Sequence, residues 1–346
     1  MSERVARQIA RRMREHCDAH DKRDAVVVFH GGEPLLGGVQ HLQMLTSILL
    51  DTFADSGVKL SIGMQSNGLL FTPEIGDLML DTGMSIGISL DGPPEVNDLH
   101  RIDHKGQPTS AQLEERLALL TSSRYSRLFS GFLCVINPLT DPVAVTEYLL
   151  SYSPSNIDFL FPLDNHDRRP FGKQKDINAT PYGNWLIRSF DYYWSNQPPK
   201  TSIRIFKSIL ALILGAPSLV ESLGLDPVDL IVVETNGEIE AVDSLKSTFE
   251  GATWLGYNVF EHDFDTVAAN IAVRSRQMGA ETLCQICKDC SVVDICGGGY
   301  LPHRYSTARG FDNPSVYSAD LEKLIRHIHA AASRELKDEA IGVTPL

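Results

Sequence analysis

Apolar positions along the first 215 residues fall into two alternating spacings. Over residues 2–20 apolar and charged side chains recur every three to four positions, as on one face of a helix, and residues 25–30 then form a short apolar run rich in β-branched side chains. The same alternation predicts helices over 40–55, 73–82, 110–122 and 142–152, and strands over 59–64, 85–90, 131–136 and 157–161. Near-continuous apolar strands separated by amphipathic helices make a parallel sheet covered by helices, either a barrel or a doubly wound sheet. Helices over 181–195 and 203–214 follow, and then the pattern changes. Two β-branched runs at 230–235 and 238–242 flank Asn236-Gly237, a pair suited to both positive φ angles of a type I′ turn, which predicts an antiparallel hairpin. A boundary is therefore placed near residue 215, dividing the chain into 1–215 and 216–346. The second part carries predicted helices over 264–278 and 318–337 on either side of a cysteine-rich segment.

Composition narrows the class. The chain has 346 residues, 43% apolar and 22% charged, which is ordinary globular composition with ample material for a core. Its net charge of -13 repels phosphate backbones and anionic lipid, so no nucleic acid and no membrane partner is expected, and a peptide suits it better. The basic start MSERVARQIARRMREH has neither an apolar run nor a small-residue cleavage site, and the apolar stretch 209–214 is too short to span a bilayer. A cytoplasmic protein is expected, in which clustered cysteines signal metal rather than disulfides.

Loops leaving the carboxyl ends of parallel strands build active sites. Three such loops here are polar and glycine-rich. Gly31-Gly32-Glu33-Pro34 follows the first strand: the glycines let a ligand approach the backbone, Pro34 fixes the exit, and Glu33 can hold a cation such as an ammonium group. Gln65-Ser66-Asn67-Gly68 follows the second strand and Ser89-Leu90-Asp91-Gly92-Pro93 the third, offering hydroxyl, amide and carboxylate groups to a ribose or a carboxylate. Each loop alone also suits a plain turn; their succession at neighbouring strand ends points to a site.

Four of the six cysteines, Cys284, Cys287, Cys290 and Cys296, fall in LCQICKDCSVVDICGGGY. Short spacings let one loop wrap a metal, and the glycines let backbone amides approach bound sulfide; spacing alone suits a 4Fe-4S cluster and zinc equally. Cys17 and Cys134 stand alone in a helix and a strand and are expected to be buried and inert. His16 and His20, four apart on the first helix, form a pair that can grip a metal or simply lie on a solvated face. His303, Arg304 and Tyr305 either face substrate or pack the glycine loop.

GGEP, SNG and SLDGP, followed by His100-Arg101, together resemble the radical S-adenosylmethionine (radical SAM) superfamily and its SPASM subgroup over residues 25–105. The run from Cys287 through CGGGYLPHRYS to GFDNPSVYSADL, with VVETNGEIEAVDSLKS before it, resembles the C-terminus of a branch of peptide maturases that includes cyclophane-forming enzymes acting on ribosomally made peptides. The resemblance implies a partial (β/α)6-type radical SAM barrel lacking its first strand, followed by a small SPASM or twitch-like iron-sulfur module. It places Gly31, Gly32, Glu33 and Pro34 at the methionine amino group of S-adenosylmethionine, and Ser66, Asn67, Ser89 and Asp91 near its carboxylate and ribose. Asp91 alternatively faces substrate as the catalytic residue. It further implies a precursor peptide as substrate, side-chain crosslinking by hydrogen abstraction, and an electron donor such as a flavodoxin or ferredoxin. Where the branch has a cysteine in NPSVYC this chain has Ser318, so Cys284 is expected to replace it as the fourth auxiliary-cluster ligand. The CxxxCxxC that would hold the catalytic 4Fe-4S cluster does not occur in the sequence. The resemblance thus implies an N-terminally truncated enzyme, inactive as it stands, or alternatively a cluster-free homologue that binds a peptide or partner without cleaving S-adenosylmethionine.

Overall fold

The structure, a computed structural model, describes residues 1–196, 201–228 and 230–342. Helix α1 (Glu3–Ala19) is capped by Ser2, whose hydroxyl accepts from the Val5 N–H at 3.3 Å, and it buries Val5, Ala6, Ala10 and Cys17 on one face. Then come β1 (Asp24–Phe29), α2 (Gly38–Phe53), β2 (Lys59–Ser66), α3 (Pro73–Thr82), β3 (Ser85–Ser89), the single turn α4 (Pro94–Asn97) and α5 (Ser110–Leu120). The alternation continues through β4 (Phe129–Val135), α6 (Pro142–Ser151), β5 (Asn156–Leu160), α7 (Pro181–Asn196), β6 (Ser202–Ile203) and α8 (Arg204–Ile213). All strands expected from periodicity are present; β6, two residues long, is too short to register as a period.

The strands pair in parallel in the order of the sequence, β1 to β6, which is a singly wound sheet rather than a doubly wound one. With right-handed crossovers this order sends every helix to the same face. The other face carries none of these helices, and it is most open along β1. Along β1 the alternation is visible directly: Val27 and Phe29 pack into the core, whereas Val26 and Val28 are 69% and 57% exposed. Register extends this face from Val28 to Gly63, on to Ser85, and beyond the irregularity in β3 from Gly87 to Gly131 and Asn156. Small and polar residues therefore make up much of this face.

The second part holds an antiparallel sheet of β7 (Val232–Val233), β8 (Glu238–Glu240) and β9 (Trp254–Asn258). The expected type I′ turn does not form. Gly237 has φ +92° but Asn236 does not have positive φ, and the Gly237 N–H donates to the Glu234 carbonyl at 2.9 Å. This is a three-residue loop with a left-handed glycine, held by Asn236 Oδ1 accepting from the Glu238 N–H at 3.0 Å. The helix expected over 264–278 is broken into α9 (Phe264–Ala268) and α10 (Ile271–Arg274), because Asn270 turns its side chain back to cap the Ala272 N–H at 2.8 Å. Short helices α11 (Gln285–Lys288) and α12 (Val293–Cys296) carry the thiols, and α13 (Ser318–Gly342) closes the chain, running past the expected end at 337. One continuous core joins Leu324, Ile325 and Ile328 of α13 to Leu186, Phe190 and Phe206 of α7 and α8. No helix among the described residues is long and apolar enough to cross a membrane.

Candidate functional site

Side chains tie the ends of the first four strands together. Glu33, after β1, accepts from Ser66 Oγ at 2.8 Å and the Leu35 N–H at 3.0 Å with Oε1, and from the Asn67 N–H at 2.8 Å with Oε2. A carboxylate offers about four lone-pair sites, so three bonds leave room for one more donor. Gln65 Nε2 donates to Ser89 Oγ at 3.0 Å, joining β2 to β3. Asp91 then joins β3 to β4: Oδ1 accepts from the Val135 N–H at 2.8 Å, and Arg101 grips both oxygens at 2.7 and 2.9 Å. Both partners of this pair are largely shielded, with side-chain exposures of 12% and 26%.

The expected residues thus lie together, with unequal freedom. Gly31, Gly32 and Asn67 are exposed, and a Cβ built on either glycine meets nothing within 4 Å, so open space borders the loop. Ser66 is buried and serves the loop, accepting from the Gly68 N–H at 2.9 Å while donating to Glu33. Pro34 starts the helical turn Pro34–Gly37, and Glu33 caps it. Asp91 is fixed in place by Arg101 and the Val135 N–H. Neither Gln65 nor the Arg101 clamp on Asp91 was derivable from loop composition, although Gln65 opens the QSNG run and Arg101 ends the His100-Arg101 pair.

On the same sheet face, Asp158 of β5 pairs with Arg204 Nη1 at 3.0 Å. Burial raises its carboxyl to about 6, against the opposing pull of Arg204. Nothing in the sequence marked this residue, since a single aspartate inside an apolar strand carries no spacing signal.

The four thiols form a second centre. Cys284 caps α11, Cys287 lies within it, Cys290 follows, and Cys296 ends α12; all but Cys290 are buried. Burial pushes the Cys287 thiol up to about 12, with Cys284 adding to the rise, and the Cys296 thiol up to about 11. Hydrogen bonds from the Gly298 and Gly299 N–H groups act on Cys296 in the opposite direction. Gly297, Gly298 and Gly299 all take left-handed φ, +62°, +76° and +70°, and the Gly297 and Gly299 N–H groups donate to the Val293 and Cys296 carbonyls at 2.7 and 2.9 Å, which folds the loop back over Cys296. A Cβ on Gly297 would meet the Gly224 carbonyl oxygen at 1.8 Å, so only glycine fits.

Arg304 holds this loop from behind. Its Nε donates to the Gly298 carbonyl at 3.0 Å and its Nη2 to those of Gly297 at 2.7 Å and Gly299 at 2.8 Å. Burial lowers the guanidinium's basicity, and the neighbouring Cys287, Cys296 and Cys284 oppose that shift. Of the two roles open for 303–305, packing the glycine loop is the one Arg304 fills. His303 is likewise buried, among Phe161, Tyr300 and Tyr317, and burial holds it neutral at about 3. Cys17 and Cys134 are buried, as expected. His30, directly after β1, has its Nε2 4.0 Å from Asp243 Oδ2 of the second part.

The class these observations define is a singly wound α/β sheet with a polar cluster at its strand ends, joined to a thiol-bearing module. No protein-family model matches the chain. Its homologues among curated proteins include the cysteine-type anaerobic sulfatase-maturating enzyme of Clostridium perfringens strain 13, 24% identical over 249 residues, or 70% of this chain and 65% of that one. The serine-type enzyme of Bacteroides thetaiotaomicron is 22% identical over 321 residues, 86% of this chain and 74% of that one. The chain thus spans 65% of the length of the first of these relatives. Among solved structures it is similar to native anSMEcpe with bound AdoMet, at TM-score 0.83 and 20% identity, over 99% of this chain and 90% of that one. Streptococcus suis SuiB bound to precursor peptide SuiA is similar at TM-score 0.56 and 12% identity, over 91% of this chain and 69% of that one. The α/β fold with its six-stranded parallel sheet is therefore that of the AdoMet-bound structure.

Proposed function

We propose that the chain is the S-adenosylmethionine-binding and peptide-binding body of a radical SAM enzyme that modifies a ribosomally made peptide. Residues 1–215 supply the nucleoside site and residues 216–346 the auxiliary iron-sulfur module. The observation that carries this reading is the Glu33 junction: a carboxylate bonded to both neighbouring strand-end loops, with one acceptor position left and open space at Gly31 and Gly32. Homology to sulfatase-maturating enzymes and the shared fold of an AdoMet-bound structure support it.

In this reading Glu33 takes the ammonium group of S-adenosylmethionine, Asn67 and Ser89 the carboxylate and ribose, and Pro34 and Ser66 hold the loops that present them. Asp91, fixed by Arg101, lies toward the peptide as the proposed catalytic residue. Peptide-bound neighbours support a peptide substrate. Crosslinking between side chains as the bond formed, and a flavodoxin or ferredoxin as the electron donor, rest on the resemblance of the cysteine segment alone. The sequence contains no CxxxCxxC, so these residues bind and orient, and cleavage of S-adenosylmethionine requires a cluster that this sequence does not ligate.

Cys284, Cys287, Cys290 and Cys296 would hold the auxiliary 4Fe-4S cluster, with Cys284 in the role that Ser318 cannot fill. The donor set fits: four thiols carried by one segment, beside a glycine loop held by the Arg304 guanidinium. A cluster, when bound, supplies one-electron transfer. Zinc fits less well, because bonds of about 2.3 Å set tetrahedral thiolates about 3.8 Å apart. Among the described residues, no three of these thiols come within 4.8 Å of one another.

Calorimetry on anaerobically reconstituted protein tests the reading. S-adenosylmethionine should bind, and Glu33→Gln should weaken it about tenfold to a hundredfold, the worth of a charged hydrogen bond. Reconstituted protein should be brown, with iron and sulfide in equal amounts, and Cys284→Ala should lose most of both. Colourless protein that takes up zinc instead would overturn the cluster, and absence of binding heat would overturn the nucleoside site.

A further inference from the structure

We propose that His16, His20 and Asp265 form a divalent transition-metal site that fastens α1 to the C-terminal module. His16 lies in the last turn of α1, His20 is its C-cap four residues on, and Asp265 comes from the first turn of α9. His16 Nδ1 is 2.9 Å and His20 Nε2 is 2.8 Å from the same oxygen, Asp265 Oδ1, and the three donor atoms all lie within 4.8 Å of one another. The rings sit with centroids 4.4 Å apart, so both nitrogens turn toward one point.

The spacing brings three donors within reach of one ion. Metal bonds to imidazole nitrogen and carboxylate oxygen are about 2.0–2.1 Å, which makes neighbouring donors about 2.9 Å apart around a six-coordinate ion and about 3.4 Å apart around a tetrahedral one. The observed 2.8 and 2.9 Å are nitrogen-to-oxygen hydrogen-bond distances, and an ion that replaced the shared protons would need the donors to shift little for six-coordination and about half an ångström for tetrahedral geometry. A six-coordinate ion there would take the two imidazoles, the carboxylate and water. Imidazole with carboxylate suits ions of the cobalt, nickel and zinc series. The side chains are 32%, 45% and 53% exposed, so an ion can enter from solvent without opening the fold.

The other carboxylate cluster of the module shows what a filled cation position looks like. Glu234, Glu240 and Asp243 surround Lys246 Nζ at 3.3, 3.5 and 3.0 Å, and the ammonium group supplies the positive charge. Among the described residues no lysine or arginine forms an ion pair with Asp265.

The location gives the site a purpose. Helix α1 already grips the module at Val259, whose carbonyl accepts from Gln8 Nε2 at 2.9 Å and Arg12 Nε at 3.0 Å, and Arg4 lies 4.6 Å above the Phe260 ring. Those contacts hold the first two-thirds of the helix. A metal at His16, His20 and Asp265 secures its C-terminal end, just before β1 and the Glu33 loop.

Cobalt(II) titration of the full chain, followed by absorption and thermal melting, tests this independently of the cluster and of S-adenosylmethionine. Thiolate-bound cobalt gives intense charge-transfer and tetrahedral bands, whereas six-coordinate nitrogen and oxygen ligation gives weak bands, so the cysteines and the proposed site are read apart. Wild-type protein should take one equivalent with the weak bands and melt about 3 °C higher at a hundredfold excess over Kd. His20→Ala and Asp265→Asn, both at exposed positions, should lose that equivalent and the melting shift while keeping the thiolate bands. The proposal is overturned if wild-type protein gives thiolate bands alone, or if either variant takes up the weak-band equivalent as wild type does. Circular dichroism on both variants checks that they are folded.

Discussion

Arg304 shows how much one buried side chain can organise. It satisfies three consecutive carbonyls of a left-handed loop and sets a positive charge near the thiols. Arg304→Met should destabilise the protein by about 2–4 kcal/mol in urea melts, since three buried acceptors lose their donors. It should also lower the iron content of reconstituted protein. Arg304→Lys should recover only part of both, because an ammonium group cannot span three carbonyls as a guanidinium does; a lysine variant equal to wild type would contradict this role. Gly297→Ala places a methyl group 1.8 Å from the Gly224 oxygen and should cost about 3 kcal/mol or more, measured the same way. At this scale the sequence was informative about residue type and silent about direction. CGGGYLPHRYS left open whether Arg304 faces substrate or packs the loop, since the answer depends on which way a side chain turns.

Among the elements, the long connection between β5 and α7 is fastened by a fully buried ion pair. Lys173 Nζ meets Asp320 Oδ2 of α13 at 2.6 Å and also donates to the Ala179 carbonyl, while Asp320 Oδ1 accepts from the Gly183 N–H of α7 at 2.8 Å. Lys173→Met leaves that carboxylate buried without its partner, and denaturation should register a loss of about 3–5 kcal/mol. Lys173→Met combined with Asp320→Leu should be less harmful than the single change, because the stranded charge is gone. Equal losses would mean that packing, not charge, fastens the loop. The elements themselves were mostly legible: helices and strands of the first 215 residues follow their periodicity closely. The failures have local causes. Strand β6 is two residues long, the helix over 264–278 yields to Asn270 capping, and the hairpin takes its turn from Gly237 alone.

For the molecule as a whole, sequential strand order leaves one sheet face without helices, and a buried carboxyl lies on it. Asp158 titrates at about 6 rather than near its ordinary 3.8, chiefly through burial. Its folded-state value is raised, so the group favours folding at full strength below pH 4, and that contribution is lost as pH rises through about 6. By neutral pH the charged carboxylate costs up to about 3 kcal/mol. Asp158→Asn should therefore raise stability at pH 7 and lose this advantage near pH 4, in melts across that range. An advantage that does not change with pH would show that the carboxyl is not the cause.

What the sequence alone determined is the alternation of elements, the polar loops after β1, β2 and β3, and the crowding of four thiols, because periodicity and spacing are properties of neighbours along a chain. Tertiary structure alone decided that Glu33 and Asp91 are held by other loops, that Arg304 turns inward, that Asp158 is buried, and that Asp265 meets His16 and His20 across 249 and 245 residues. Those facts depend on groups distant in sequence sharing the same few ångströms and the same exclusion of water, and no local pattern encodes that.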